Sequence, residues 1–220
     1  MKKKIGILFL LISVVPSFSA EKITYCKRRR EKVFIDGNLK EWKNANIIDL
    51  EKEGKINVER KSKTDLSAIA YTLWDNKNFY FGLIVNDDIH CNKNKDSSIW
   101  EGDSIQFAFD VSPDNTNDIF NDYEFGMALT ENGPIVWRWY PSSKKIENVE
   151  LKIRREWKKT IYELKMPFSE IGFKPRRGKK LGFTFTVNEN DGKGFKGWME
   201  WTPGICGYKD SILFGKLILK

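Results

Sequence analysis

The sequence is short of the residues that usually build metal and nucleophile chemistry. A single histidine, His90, stands among 220 residues. That excludes a histidine cluster for a transition metal, and any His-based triad must depend on that one ring. The three cysteines, Cys26, Cys91 and Cys206, form no CxxC pair and show no zinc spacing. Being odd in number, they allow one bridge with one thiol left over. Past the first twenty residues no stretch is apolar enough to cross a bilayer. Helical periodicity is weak, with one short turn expected at Asn38–Asn44 and another at Phe168–Ile171 after Pro167. No internal repeat and no interdomain linker interrupts the chain.

What is present begins with a leader. Lys2, Lys3 and Lys4 precede the apolar run Ile5–Val15, and Pro16-Ser17-Phe18-Ser19-Ala20 supplies small residues for cleavage. The apolar run is about half the roughly 20 residues a spanning helix needs, so residues 1–19 are expected to be a secretory signal peptide. Cleavage after Ser19 places Ser17 and Ser19 at the −3 and −1 positions. The alternative is an uncleaved N-terminal anchor. The expected product, residues 20–220, is one domain in size and is exported to the periplasm or the exterior. Loss of three lysines leaves 35 of the 38 basic residues against 30 acidic ones, a net +5. The runs Lys27-Arg28-Arg29-Arg30 and Arg176-Arg177-Gly178-Lys179-Lys180 carry much of that charge. No nucleic-acid motif accompanies them, so they read as solvated faces and turns, and no nucleic acid is expected as a partner.

Period-two alternation dominates the remainder. Leu66–Trp74 and Asn78–Asn86, joined by Asp75-Asn76-Lys77, predict a β-hairpin. In Ser104–Asp110 the residues Ile105, Phe107 and Phe109 share one face. Tyr123–Leu129 and Pro134–Trp139 flank the turn Thr130-Glu131-Asn132-Gly133. The same alternation recurs at Val149, Leu151 and Ile153, at Tyr162, Leu164 and Met166, and at Leu181, Phe183, Phe185 and Val187, before a last strand at Leu213–Leu219. Many short strands with turns between them predict an all-β, antiparallel β-sandwich of jelly-roll type, in one domain. Asn92–Ser98 and residues 113–121 read as polar loops.

Eight tryptophans is a generous number. Trp42 and Trp74 read as core. Trp100 sits between the polar loop Asn92–Ser98 and Glu101-Gly102-Asp103. An indole there suits the C–H face of a pyranose ring, with amides and carboxylates nearby for its hydroxyls. On composition alone, a simple cap over the core is an equal alternative.

Several segments carry a family resemblance. Val33-Phe34-Ile35-Asp36-Gly37 followed by Trp42 resembles the opening of the family 9 carbohydrate-binding modules. Leu73-Trp74-Asp75 with Asn78-Phe79-Tyr80-Phe81 is similar to their central hairpin, and Val85-Asn86-Asp87-Asp88 to the strand end after it. Trp100-Glu101-Gly102-Asp103-Ser104-Ile105-Gln106 resembles their "WE.DSvE" signature. Leu181-Gly182-Phe183 through Val187-Asn188-Glu189-Asn190-Asp191, and the closing Phe214-Gly215-Lys216-Leu217, complete an ordered set over nearly the whole exported chain.

The resemblance implies a secreted, non-catalytic, monomeric protein that holds a polysaccharide or oligosaccharide between two aromatic rings, alongside secreted glycoside hydrolases. Trp100 matches the first ring. Tyr208, six residues before the closing Phe-Gly, matches the second. Gln106 stands where the family has a glutamate, and Asn188 joins the sugar-binding set. The family's arginine on the neighbouring strand falls near Gly126, which removes that contact. No cofactor is required, but the resemblance implies structural calcium, for which Asp87, Asp88 and Asp191 are the expected ligands, with Asn188 a further oxygen donor near by. If Trp100 and Tyr208 face each other, their loops are neighbours, which implies a Cys91–Cys206 disulfide with Cys26 free. Three alternatives remain: a glycosidase using Glu101 and Asp103, a b-type haem module using His90 and Met127, and a structural or adhesion sandwich without a sugar site.

Overall fold

The computed structural model describes residues 21–113 and 122–220. The leader at 1–19 and most of the loop at 113–121 lie outside the described residues. Fourteen strands are present among the described residues. In chain order they are β1 (Ile23–Arg28), β2 (Asn46–Asp49), β3 (Lys55–Asn57), β4 (Leu66–Trp74), β5 (Asn78–Asp87), β6 (Ser104–Asp110) and β7 (Asp122–Thr130). There follow β8 (Gly133–Tyr140), β9 (Lys144–Lys145), β10 (Glu150–Glu156), β11 (Lys159–Pro167), β12 (Lys180–Glu189), β13 (Gly197–Glu200) and β14 (Gly215–Leu219). Among the described residues helix is confined to short turns, including those at Leu39–Asn44 and Phe168–Ile171.

One face of the sandwich runs β10-β11-β5-β4, with β2 also on β4. The other runs β14-β12-β6-β7-β8-β9, and β13 pairs the far half of β12. Among the described residues every pairing is antiparallel except those of β1. Ile23–Cys26 lie parallel to β14, and Lys27–Arg28 then lie parallel to β4. This strand stitches the two faces into one curled sheet. The expected sandwich is therefore correct, and its expected antiparallel pairing is corrected at β1. That segment, Ile-Thr-Tyr-Cys-Lys-Arg, runs into a basic cluster and carries too short an alternation to stand out.

The core is a stack of phenylalanines. Phe79 and Phe81 on β5 meet Phe107 and Phe109 on β6 and Phe183 and Phe185 on β12. The contacts across the sandwich are edge-on, at 5.2 Å for Phe79–Phe109 and 5.4 Å for Phe81–Phe185, the arrangement aromatic quadrupoles favour. Each buried ring contributes roughly 1.5–3 kcal/mol over its exposed state. A core of this kind needs no covalent staple.

A second, smaller core covers the outer face of β4 and β5. Trp42 packs on Tyr80 and Leu73 there. Its anchor is Glu163 on β11, whose carboxylate accepts the N–H groups of Asp36, Gly37 and Asn38 and the indole Nε1–H of Trp42 at 2.9 Å. Gly37, at φ 86°, makes the left-handed turn that brings these donors together. Burial pushes the Glu163 carboxyl up from its ordinary pKa, and the four donated hydrogen bonds oppose that rise.

Candidate functional site

The outer face of the β6 sheet carries a cleft, and its first wall depends on a rigid loop. Asn92 is buried and donates its amide to the carbonyls of Ile99, at 2.8 Å, and Asp103, at 3.1 Å. Asn190 donates to the Glu101 carbonyl at 2.7 Å. These bonds clamp the turn Asp96–Glu101 and leave Trp100 39% exposed at its end. Trp100 meets Phe195 edge-on at 5.6 Å, and Phe195 stacks on Trp198 of β13.

Trp139 of β8 forms the opposite side. Gly126 on β7 is paired with Gln106 on β6, and the indole lies directly over it. A Cβ at Gly126 would lie 2.3 Å from the ring, so this packing requires glycine. The indole Nε1–H donates to the Ser97 carbonyl at 2.8 Å, which ties the wall back to the Trp100 loop. The space enclosed is about 380 Å³, at the small end of ligand sites.

The floor is polar and internally wired. Gln106 is buried, donates to Glu124 at 3.1 Å and accepts from Asn188 at 3.0 Å. Glu124 in turn accepts from Lys209 at 2.6 Å. Aromatic walls over an amide, a carboxylate and an ammonium offer apolar faces for C–H groups and both donors and acceptors for hydroxyls.

The sequence expectations meet this geometry unevenly. Trp100 and Gln106 line the cleft together. Tyr208 is 62% exposed and lies between two lining residues, Gly207 and Lys209, without lining the cleft itself. Asn188 is buried behind Gln106, where it orients that amide. The expected Cys91–Cys206 disulfide is corrected, since all three cysteines are free. The Cys206 thiol lies against Gln106 and Thr186 at the cleft, whereas Cys91 packs by Gly192 and donates its N–H to Asp103. Burial pushes the Cys206 thiol up to about 11, which keeps it protonated and unreactive.

Trp139, Phe195, Trp198, Glu124 and Lys209 were not foreseen. On β8 Val136 and Arg138 are buried, so Trp137 and Trp139, which alternate with them, face away from the core. In the sequence the two indoles share a face with Ile135 opposite an arginine, which reads as core, so Trp139 carried no local signal. The segment holding Phe195 and Trp198 is glycine-rich and short, and only the pairing of β13 with β12 places it.

A second cluster lies at the end of β5 and β12. Carboxylate oxygens of Asp87, Asp88 and Asp191 lie within 4.8 Å of one another, as do those of Asp65, Glu189 and Asp191. Arg155 pairs with Asp87 at 3.1 Å and Lys196 with Asp191 at 2.6 Å. Glu189 is 1% exposed, and neither of its oxygens has a hydrogen-bond donor. Its ion pair is with Lys196, at 3.5 Å, and a proton shared with Asp191 or a bound cation would relieve it further. Burial and the neighbouring carboxylates push Glu189 up to about 9, and Asp103 up to about 8. An all-oxygen set of this kind matches hard divalent cations.

The alternative chemistries find little here. Asp103 is buried and accepts the N–H groups of Cys91 and Asn190, while Glu101 is exposed, and neither lines the cleft. Met127 is fully buried in the inter-sheet core. The Nε2 of His90 lies 2.9 Å from the Leu129 carbonyl, so it carries a proton there. Its Nδ1 lies 3.8 Å from Asp87 and 3.7 Å from Asp103.

Fold and cleft together define the class, a β-sandwich of the kind that serves as a carbohydrate-binding module. The family model described as "Carbohydrate family 9 binding domain-like" matches residues 35–220. The chain therefore belongs to the family 9 carbohydrate-binding domains. Among solved structures it is similar to a family 9 module from Caldicellulosiruptor kristjanssonii in complex with cellotriose, at 19% identity and a TM-score of 0.69 over 90% of this chain and 94% of that one. A family 9 module from the same organism in complex with glucose matches at 20% identity and a TM-score of 0.65, over 90% and 96% of the two chains. A search of curated proteins gives no significant match.

Proposed function

We propose that this protein is a secreted, non-catalytic carbohydrate-binding protein that holds the end of a glycan against Trp100 and Trp139, in support of polysaccharide degradation. The observation that carries this is the cleft itself, in which exposed indole faces stand over the linked polar floor Gln106–Glu124–Lys209. Family membership and the cellotriose and glucose held by the similar modules support the ligand class. The carboxylate that lines the cleft, Glu124, is already held by Gln106 and Lys209, an arrangement suited to binding hydroxyls. The leader at 1–19 supports export, and secreted hydrolases are the partners such a role implies. The protein acts as a monomer in this proposal.

Calcium belongs to the same proposal. Asp65, Asp87, Asp88, Glu189 and Asp191 would hold it, and it would neutralise carboxylates that otherwise crowd one another. It would act as a structural ion at the strand ends, with no part in contacting sugar.

A glycan array on the mature protein tests the binding role, with tryptophan fluorescence as the confirming signal. Trp100→Ala is expected to leave the fold intact and weaken binding by on the order of 1–3 kcal/mol, the scale of one lost aromatic contact. Unchanged affinity would remove Trp100 from the site.

A further inference from the structure

The basic runs at 27–30 and 176–180 stand far apart in the sequence and have no part in the cleft. The fold brings them to one end of the sandwich, on either side of the last strand. The Arg28 N–H donates to the Lys220 carbonyl at 2.9 Å, and the Lys220 N–H to the Cys26 carbonyl at 2.9 Å. On the other side the Gly178 N–H donates to the Leu219 carbonyl at 2.7 Å, and the Leu219 N–H to the Lys179 carbonyl at 3.0 Å. With Lys220 this end carries nine cations, and among the described residues their ion pairing is limited to Arg29 with Asp75 at 2.8 Å. Even set against Asp75 and Glu31 they exceed the net +5 of residues 20–220, so side-chain charge elsewhere is net acidic.

Several of these head groups are held in place. Arg28 lies over Trp74 at 5.8 Å, Arg29 over Tyr80 at 5.8 Å, Lys179 over Phe173 at 5.1 Å and Lys220 over Tyr25 at 3.5 Å. A cation fixed in this way loses less rotamer freedom when an anion binds. Rings committed to cations are not free to stack on bases or to enter a bilayer interface, which argues against single-stranded nucleic acid and lipid as the ligand. Five of the chain's nine arginines stand in the two runs, and the guanidinium fork meets a carboxylate with two parallel hydrogen bonds. A sugar chain with a carboxylate on each ring presents that group repeatedly, and carbohydrate is the ligand class of the family. The two sites are well separated. Lys180 begins β12, and Thr186, the partner of Gln106 in the cleft floor, lies six residues further on, about 20 Å along the strand. A polymer on the basic end therefore leaves the cleft open.

We propose that this basic end is a second binding site, which takes an acidic polysaccharide bearing uronate carboxylates. It goes beyond the role proposed for the cleft and does not depend on it. The exposed Lys27, Arg30, Arg176 and Arg177 meet the polymer, and the cations held over rings fix the field between them. The protein can then rest on a charged matrix polymer while the cleft holds a neutral glycan end.

Calorimetric titration of the mature protein with polygalacturonate tests this, with its methyl ester as the same backbone stripped of charge. Phosphatidylglycerol vesicles and a single-stranded oligodeoxynucleotide, at equal concentrations of charge, are the competing ligands. Polygalacturonate is expected to bind about tenfold or more tightly than its ester, and to weaken about tenfold between roughly 50 and 200 mM salt. Lys27→Gln, Arg30→Gln, Arg176→Gln and Arg177→Gln together replace exposed side chains and so keep the fold. This variant is expected to lose polygalacturonate affinity about tenfold or more, and to keep neutral-sugar affinity within about twofold, because the cleft is remote. Equal affinity for polygalacturonate and its ester would overturn the proposal. So would tighter binding of the vesicles or the oligonucleotide than of polygalacturonate, or an unchanged affinity in the variant, folded by its melting curve. Failure of neutral sugars to bind while polygalacturonate binds would overturn the role of the cleft and leave this site standing.

Discussion

Trp139 can lie across the sheet because residue 126 has no side chain. Gly126→Ala is expected to drive the ring off the strand, since the new Cβ would fall 2.3 and 2.5 Å from two ring atoms. Saccharide affinity should fall by on the order of 1 kcal/mol, the worth of one aromatic contact. Because the outer face alone is disturbed, thermal stability should change little; an unchanged tryptophan emission and affinity would show the ring has another way to fit. Glu163 is a different kind of residue, structural and remote from the cleft. Its two oxygens face four donors. Glu163→Gln turns an NH2 group toward donors whichever way the amide is set, and a buried group then goes unsatisfied at about 1–3 kcal/mol. Urea denaturation should record that loss, while glycan affinity stays as it was. At this scale the sequence was legible where a motif named the residue. Trp100, Gln106 and the Ile35-Asp36-Gly37 turn all stand at informative positions. Glu163, one of 30 acidic residues, carries no local mark of its burial.

At the scale of elements, the ends of β5 and β12 meet the loops at residues 65 and 191 in one acidic cluster. Asp103 and Glu189 are raised to about 8 and about 9 in the folded chain, from ordinary values of 3.8 and 4.5. A raised folded pKa means that the folded state keeps protons that the unfolded chain releases. Without metal, stability is therefore greatest below about pH 4 as far as these groups are concerned, and declines as pH rises from there to about 9. In the proposed site calcium would bind the ionised carboxylates and remove their repulsion, so its stabilising effect should grow over the same range. At free calcium a hundredfold above Kd the gain is about 2.7 kcal/mol. Thermal denaturation across this range in EDTA and in millimolar calcium checks both signs. A melting temperature indifferent to calcium at every pH would remove the ion from the protein. The hairpins β4–β5 and β7–β8 were plain in the sequence, because alternation and turn residues are local properties. Strands β1, β2, β3 and β13 were not, because each is six residues or fewer and gains its hydrogen bonds from distant partners.

Across the whole molecule, two curled faces enclose a phenylalanine core, and the β6 sheet carries the cleft on its outer surface. The expected disulfide is absent because Cys206 turns toward Gln106 and Thr186 while Cys91 packs by Gly192. Cys206 instead lines the cleft beside Gln106. The sequence by itself determined the all-β sandwich, the strand faces and the family resemblance. These follow from period-two burial and from turn residues that act within a few positions of themselves. It also marked Trp100 and Gln106, which sit on one continuous signature. Only the tertiary structure decided the remaining walls and floor. Trp139, Phe195, Trp198, Glu124 and Lys209 come from four separate segments, and their convergence depends on which strand pairs with which and on a glycine opposite Gln106. The same holds for Tyr208 and Asn188. One is exposed beside the cleft and the other buried behind it, a difference set by the path of the chain over the sheet rather than by the residues next to them.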